Sequence, residues 1–212
     1  GWWVDEYGRA QVAMTLDDYT GTPPHVAFEA CAEEARKLKV GVAGSELVGL
    51  MPLRALLAAA EHYIEKEGLF IVDERQKIRL AVDRLGLSSV SPFKPEKRII
   101  EYRVEDRAQE PLASQRVRGF VELLGSRAPA PGGGSASALL AALGAALGAM
   151  VGWMTYGKRK FDDQDATMRR LIPPLHQAMG AILPMIDADT NAFNDYLAAL
   201  GLPQDTPEEA AA

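Results

Sequence analysis

The sequence predicts two regions of different fold class: an α/β layered subdomain, in which a small sheet carries helices, and then an all-α helix-bundle segment. Up to residue 104, short apolar runs typical of strands are interleaved with segments of helical periodicity. From residue 115 onward, the apolar positions follow helical spacing. Residues 105–114 are polar, contain a proline and show no periodicity, so we interpret them as a linker.

The elements of the first region follow from turn residues and apolar periodicity. Thr22 is placed to cap a helix that has a proline in its first turn, and Gly41, Gly68 and Gly86 are placed to end helices. Short or alternating apolar runs predict strands between the helices. In chain order, we expect a strand at 11–16, a helix at 23–40, a strand at 46–50, helices at 53–67 and 74–85, and a strand at 98–104.

The second region is predicted to be helical to its end. An amphipathic stripe that closes at Gly125 predicts the first helix, and a long helix without any charge follows a run of glycines. The third helix contains two adjacent prolines, which predict a break. In chain order, we expect helices at 117–124, 136–154, 162–183 with a break at Pro173 and Pro174, and 187–200.

Composition and charge narrow the possible functions. The 212 residues carry a formal net charge of −6, which argues against nucleic acid as the partner. The single cysteine, Cys31, excludes an internal disulfide and predicts a reducing, cytoplasmic location. Gly1 is not an initiator Met, and the helix announced by Thr206 and Pro207 is cut short. We therefore expect an internal piece of a longer protein, truncated at both ends.

The glycine run Gly132, Gly133 and Gly134 stands directly before Ser135 and the uncharged helix. The residues alone leave three interpretations open: amides that approach an anion at the helix N-terminus, a plain hinge, or a loop before a membrane span. The run lacks the Gly-Lys-Ser/Thr ending of a P-loop, so a nucleotide site is not indicated.

The uncharged helix also carries a face of small residues. Gly144, Gly148 and Gly152 are spaced by four, so they share one face that permits close helix approach. Ala and Gly contribute little to membrane insertion, so we expect a buried bundle helix and no transmembrane span. The same Gly/Ala face is the expected contact of a homo-oligomer.

Hydroxyls and cations lie beside aromatic side chains after this helix, in the segment MTYGKRKF. Such a mixture can hold a flat ligand with an acidic tail. The alternative is an ordinary helix C-terminus, where basic residues complement the dipole. The candidate ligand-binding residues of this segment are Thr155, Tyr156, Lys158, Arg159 and Lys160.

A carboxylate in the last helix is the strongest catalytic candidate. Asp189 falls within an apolar stripe with Ile186 and Phe193, whereas Asp187 falls on the polar side. Burial would raise the pKa of the Asp189 carboxyl and suit it to general acid or base catalysis. The alternative is a structural Asp bonded to a neighbouring helix. The histidines have no partners at ligand spacing, so no metal site is expected.

Several segments together resemble one family, the formimidoyltransferase-cyclodeaminases, which are bifunctional folate enzymes of histidine degradation. They run over essentially the whole chain: GSELVGLMPLRALL, SPFKPEKRIIEY, APGGGS, GALGAMVG, MTYGKRKF, ATMRRLIPP, DADTNAFNDYL and LPQDTPEE. The resemblance implies that residues 1–104 are the C-terminal subdomain of the transferase and that residues 115–212 are the N-terminal part of the cyclodeaminase domain.

The resemblance also implies two reactions. The first domain would transfer the formimino group from N-formimino-L-glutamate to tetrahydrofolate, and the second would close the ring to 5,10-methenyltetrahydrofolate with release of ammonia. The family's catalytic histidine lies in the N-terminal transferase subdomain, so this piece alone is expected to be inactive in the first reaction. The alternative function is a non-catalytic helical assembly module.

The site implied by the resemblance binds polyglutamylated tetrahydrofolate as substrate and uses no metal. Asp189 would cycle the proton, the glycine run and Ser135 would approach the pterin, and the basic residues would hold the glutamate tail. Thr15 stands where relatives typically carry Asn, which puts one folate contact in doubt. The expected substrate-binding residues are Gly132, Gly133, Gly134, Ser135, Thr155, Tyr156, Lys158, Arg159, Lys160, Gln11 and Glu46.

Overall fold

A computed structural model of the protein describes residues 1–104 and 110–201. The chain divides into two compact units, Gly1–Glu105 and Asp106–Ala212. The first unit has a small sheet with helices and the second is helical, which confirms the fold class predicted from the sequence.

The first unit begins with a β-hairpin and continues with helices. Strands β1 (Trp2–Val4) and β2 (Arg9–Gln11) pair antiparallel, with Trp3 opposite Ala10. The helices in chain order are α1 (Pro24–Lys37), α2 (Leu53–Glu67), α3 (Glu74–Arg84), α4 (Pro95–Arg98) and α5 (Ile100–Val104).

The core of the first unit lies around α2 and α3. Leu56 of α2 is fully buried, and Ile78 and Ala81 of α3 belong to the same apolar cluster. The buried positions recur at three- and four-residue spacing, as expected for helices with one apolar face. Both helices were predicted from this periodicity, and both are confirmed.

The ends of these two helices follow the expected chemistry. Gly68 ends α2 in a left-handed conformation, with φ 64°, and Gly86 follows α3 with φ 63°. The Asp73 carboxylate accepts a hydrogen bond of 2.9 Å from the Gln76 amide at the start of α3. At α1, however, the cap residue is Pro23 and no side chain caps the helix, so the role predicted for Thr22 is wrong.

The strands predicted in the first unit are wrong apart from Gln11, which ends β2. Residues 12–16 and 46–50 form no strand, and Met51 makes an isolated parallel bridge to Ile99. Residues 98–104, predicted as a strand, lie largely in α4 and α5. Ile99 is fully buried in an extended conformation between α4 and α5, and Tyr102 of α5 packs against the same core.

The second unit is built from helices joined by short connections. Leu112, Phe120 and Ile186 form a small buried cluster. The elements in chain order are α6 (Val117–Leu124), α7 (Gly133–Thr155), a 3₁₀ helix (Arg159–Gln164), α8 (Asp165–Ile182) and α9 (Met185–Leu200).

Helices α7 and α8 pack closely because α7 lacks side chains along one side. A Cβ added at Gly148 would lie 3.1 Å from Leu175 Cδ1, and one at Gly152 would lie 2.5 Å from Ile172 Cγ1. Ile172 is fully buried in this contact. The packing surrounds the Pro173–Pro174 pair, and α8 continues through both prolines, so the predicted break is wrong. Tertiary packing here outweighs the local cost of two missing N–H donors.

The contact between α7 and α8 corrects part of the predicted oligomer contact. Since α8 covers Gly148 and Gly152, these two positions are used within the unit and are not available to a second copy, whereas Gly144 is open. The large apolar side chains of α7 that remain exposed are Leu140, Leu143, Leu147, Met150, Val151, Trp153 and Met154.

Helix α7, with 23 residues, is also the one segment of the described residues that is long and apolar enough to cross a bilayer, and an 18-residue stretch of it has a mean hydropathy of 1.7. Only the length and composition of α7 indicate a membrane span. Within the second unit, the same helix packs against α8 and α9.

Candidate functional site

A cleft of about 260 Å³ lies where the first turn of α7 meets α9. It is slightly smaller than the roughly 300–1,000 Å³ of a typical small-molecule site, so it can enclose one ring system rather than a long ligand. The lining residues are Pro129, Ala130, Gly132, Gly133, Gly134, Asp189, Thr190 and Phe193.

The glycine run forms the start of α7. Gly132 is its N-terminal cap, and Gly133 and Gly134 lie in the first turn. Among the described residues, the Gly133 and Gly134 amides make no hydrogen bond, as is usual for the first amides of a helix. Both residues line the cleft at the positive end of the helix dipole, so their amides can donate hydrogen bonds to a ligand oxygen.

Ser135, which the sequence predicts as a substrate-binding residue, is completely buried. Its amide donates to Asp189 Oδ2 at 2.8 Å, and its hydroxyl donates to the Ile186 carbonyl at 2.7 Å. The same hydroxyl lies 3.1 Å from Asp189 Oδ2 and 3.1 Å from Thr190 Oγ1. Ser135 therefore ties the first turn of α7 to α9 and orients the Asp189 carboxylate.

Asp189 lines the cleft with its carboxylate against the first turn of α7. A Cβ added at Gly134 would collide with the Asp189 carboxylate, so a glycine is required for this approach. In the described part of the chain, Oδ2 takes the hydrogen bonds from Ser135, which leaves Oδ1 for a ligand. The burial predicted for Asp189 is wrong, because the residue is exposed on the open side of the cleft.

Asp187, which the sequence places on the polar side of the helix, is the buried carboxylate of α9. It is 3% exposed, and its two oxygens accept hydrogen bonds from the Leu112 amide at 2.7 Å and the Ala113 amide at 2.9 Å. Both residues belong to the predicted linker, whose residues 105–109 lie outside the described chain. The later part of that segment is thus fastened to the second unit.

The residues predicted to hold the ligand's acidic tail lie at the other end of α7. The Thr155 hydroxyl donates to the Val151 carbonyl at 2.9 Å, and the Tyr156 ring lies 5.2 Å from the Arg169 guanidinium. The side chains of Lys158, Arg159 and Lys160 are exposed. At 1.5 Å per residue, α7 separates Ser135 from Tyr156 by about 30 Å, so the two groups do not form one compact pocket in this chain.

The remaining predicted contacts lie in the first unit. Gln11 ends β2 and Glu46 lies in the irregular segment before α2, and both are half-buried. In residues 1–104, no hydrogen bond or ion pair joins these two side chains. The described residues also contain no cluster of three or more His, Cys, Asp or Glu side chains that could hold a metal.

Sequence reasoning missed Thr190 and the 129–130 segment as parts of the cleft. Thr190 follows Asp189 directly, and a helix brings consecutive residues to neighbouring faces, so its position beside the carboxylate was a usable signal. Pro129 and Ala130 line the same cleft as residues of α9 because of long-range packing, and the sequence contains no local signal for such packing.

Comparison with known proteins agrees with the two-unit division. A family model described as "Formiminotransferase domain" matches residues 1–105, and one described as "Formiminotransferase-cyclodeaminase" matches residues 116–212. Together they account for nearly all of the chain.

Relatives of known identity match the chain over both units. The formimidoyltransferase-cyclodeaminase of Dictyostelium discoideum is 62% identical over 206 residues, which cover 96% of this chain and 38% of that protein. The protein of that name from Sus scrofa is 52% identical over 99% of this chain and 39% of its own length. The chain thus spans about two fifths of the length of these relatives.

A relative with a different name matches a smaller part of the chain. The methenyltetrahydrofolate cyclohydrolase of Methylorubrum extorquens is 37% identical over 99 residues, which cover 47% of this chain and 48% of that protein. From the matches to both family models and from these identities, the chain belongs to the formimidoyltransferase-cyclodeaminase family.

Proposed function

We propose that this chain belongs to a bifunctional folate enzyme and that its second unit carries the cyclodeaminase site. The names of the relatives support a folate reaction. The observation that carries the proposal is the cleft, where the Asp189 carboxylate is oriented by Ser135 beside free amides at the start of α7. The substrate would be 5-formiminotetrahydrofolate, and the products would be 5,10-methenyltetrahydrofolate and ammonia.

The reaction needs one group that first accepts a proton and then donates it. N10 of the folate attacks the carbon of the protonated formimino group, and a carbon–nitrogen bond forms. Asp189 takes the proton from N10 and passes it to the amino group, which then leaves as ammonia when its bond to the carbon breaks. The positive charge of the substrate remains on the methenyl product, so charge and protons balance.

The geometry of the cleft suits this role. Asp189 Oδ2 is held by Ser135, so Oδ1 is the oxygen that can exchange a proton with the substrate. The negative carboxylate also favours the cationic formimino group over a neutral one. The amides of Gly133 and Gly134 can donate to a pterin oxygen, and the Phe193 ring can cover a flat ring.

For the first unit, we propose a part in transferring the formimino group from N-formimino-L-glutamate to tetrahydrofolate. A Glutamate formimidoyltransferase of Streptococcus pyogenes is 40% identical over 58 residues, or 27% of this chain and 19% of that protein. Gln11 and Glu46 are the folate contacts proposed in this unit. The single cysteine supports a cytoplasmic location.

We propose that Lys158, Arg159 and Lys160 bind the glutamate tail of a polyglutamylated folate. A pterin in the cleft lies about 30 Å from these cations along α7, a distance that only a long tail can bridge. The basic segment should therefore strengthen the binding of the polyglutamate form of the substrate and not that of the monoglutamate form.

A second function, assembly with another copy of this chain, is supported by the exposed stripe of α7. Leu140, Leu143, Leu147, Met150 and Met154 recur at three- and four-residue spacing, which is the spacing of a coiled-coil seam. Replacing Leu143 and Leu147 with Glu should reduce the mass measured by light scattering if the stripe joins two copies. An unchanged mass would contradict this function.

The proposed cyclodeaminase role is tested with Asp189→Asn, which keeps the shape of the side chain and removes its proton exchange. The assay follows methenyltetrahydrofolate absorbance from preformed 5-formiminotetrahydrofolate, corrected for the uncatalysed reaction. It uses this chain and a chimera that continues it with the C-terminal part of the Dictyostelium discoideum relative. We expect Asp189→Asn to slow ring closure by about 10²–10⁴.

The matched control is Asp195→Asn, on an exposed position of the same helix. It should leave the rate unchanged, and thermal melting should show that both variants fold. If Asp189→Asn closes the ring at the parent rate in both proteins, Asp189 is a structural anchor and the proposed role is wrong.

A further inference from the structure

Two histidines stack on each other in the first unit. His25 lies in the first turn of α1 and His62 lies on α2, with ring centroids 4.3 Å apart and ring planes inclined by 16°. The Tyr63 ring meets both edge-on, at 6.4 Å from His25 and 5.1 Å from His62. The stacked pair thus lies between α1 and α2, with His25 buried and His62 partly exposed.

The pair lies where the first turn of α1 meets α2. Pro24 and His25 are the buried residues of α1, and His25 is 8% exposed. The rest of the helix is exposed or partly exposed. Phe28 of α1 also packs against the core, but His25 is the buried titratable group of this helix, so a change in its charge would act directly on the buried contact.

The two histidines have different surroundings. His62 Nε2 lies 3.2 Å from Glu29 Oε1, and the Lys66 ammonium donates to the same oxygen at 2.7 Å. Among the described residues, His25 Nδ1 is buried without any hydrogen-bond partner.

Protonation of His25 would be unfavourable for three reasons. The cation would lose its hydration, it would lie at the positive end of the α1 dipole, and it would face His62 at stacking distance. The other titratable groups acting on His25 are Glu29 of α1, which attracts the proton, and Lys66 of α2, which repels it. Burial is the main cause that lowers the pKa of His25, and the charge of His62 adds to it.

We propose that the stacked pair is an acid-released latch, which holds the first turn of α1 against α2 at neutral pH and frees α1 when His25 is protonated. This device would act within the first unit and does not depend on the folate site.

The sign of the pH dependence follows from the neutral form of His25 in the docked state. The pKa of His25 in the docked helix lies below its ordinary value of 6.5. When α1 is free, His25 therefore takes up its proton at a higher pH than when α1 is docked. The docking free energy is complete above about pH 6.5 and is lost as the pH falls below it. The pKa of Glu29 is also lowered, first by its hydrogen bond to Lys66, but its ordinary value is 4.5, so its effect belongs to more acid solutions.

The test is amide hydrogen exchange of the whole chain between pH 7.5 and pH 5, expressed as protection factors so that intrinsic exchange rates cancel. Protection of α1 should fall by up to about tenfold per pH unit below pH 6.5, whereas protection of α2 and α3 should remain constant. Constant protection of α1 across this range would overturn the proposal.

His25→Phe is the matched variant, because it keeps a stacking ring and removes the titration. In this variant, α1 protection should no longer vary with pH, and the same fall as in the parent would contradict the latch. If His25→Phe does not fold, His62→Gln provides a second test. Removing the neighbouring charge should shift the fall in α1 protection, and an unchanged profile would contradict the role of the pair.

Discussion

Replacing Gly134 with Ala tests the close approach on which the candidate site depends. The new Cβ would collide with the Asp189 carboxylate and would also lie 2.7 Å from its Oδ2. A carboxylate on helix α9 can escape only by turning away from α7, which breaks its hydrogen bonds to the Ser135 amide and hydroxyl, of 2.8 Å and 3.1 Å.

The expected loss can be worked from these contacts. A hydrogen bond to a charged group contributes about 1.5–3 kcal/mol, and the lower end applies because Asp189 is exposed. The greater helix preference of Ala offsets roughly 0.5–1 kcal/mol. With the steric strain included, we expect Gly134→Ala to lower the free energy of unfolding of the second unit by about 1–3 kcal/mol.

The neighbouring glycine provides the control. A Cβ added at Gly133 meets no atom within 4 Å, although both glycines lie in the first turn of α7. Gly133→Ala should therefore be neutral or stabilising by up to about 1 kcal/mol. Urea unfolding followed by circular dichroism measures both variants. If Gly134→Ala is as stable as Gly133→Ala, the carboxylate does not lie against the glycine and the reasoning is refuted.

Three further predictions concern the rest of the second unit. Asp187→Asn should lower the free energy of unfolding of the second unit by about 1–3 kcal/mol in urea unfolding. The side-chain nitrogen of Asn cannot accept a hydrogen bond, so the amide of either Leu112 or Ala113 would lose its acceptor. An unchanged stability would contradict the anchoring role. Gly148→Leu should cost about 1–3 kcal/mol by overpacking against Leu175, whereas Gly144→Leu, at an open position, should leave the melting temperature nearly unchanged. Replacing Lys158, Arg159 and Lys160 with Gln should weaken the binding of tetrahydrofolate pentaglutamate measured by calorimetry and leave the binding of the monoglutamate unaffected. The difference between the two ligands should shrink as the salt concentration rises. An equal loss of affinity for both ligands would contradict the tail-binding role.

The sequence predicted the helices whose apolar spacing matches their burial. The α2 pattern is an example: Leu56 and its buried neighbours recur every three or four residues, and Gly68 supplies the left-handed end. The strands failed because alternating or β-branched runs need a neighbouring strand to pair with. Ile99 instead packs into a helical core, which local propensity does not reveal.

For the candidate site, the sequence singled out the glycine run and Asp189, which line the same cleft, but it could not assign their environment. A helical wheel shows which residues share a face, and it does not show which face meets a partner. Asp187 was placed on the polar side, yet the backbone amides of Leu112 and Ala113 satisfy it in the interior. The partner is 74–75 residues away in the sequence, so no local pattern predicts the contact.

The central claim is that the cleft between the start of α7 and α9 binds the folate ring. Titrating the ¹⁵N-labelled chain with tetrahydrofolate monoglutamate tests it directly, since the amide resonances report each residue separately. Saturable shifts should appear at Gly133, Gly134 and Thr190, while the resonances of Lys158 and Lys160 should not move. Shifts confined to the 158–160 segment, or no saturable shift in the cleft, would contradict the claim.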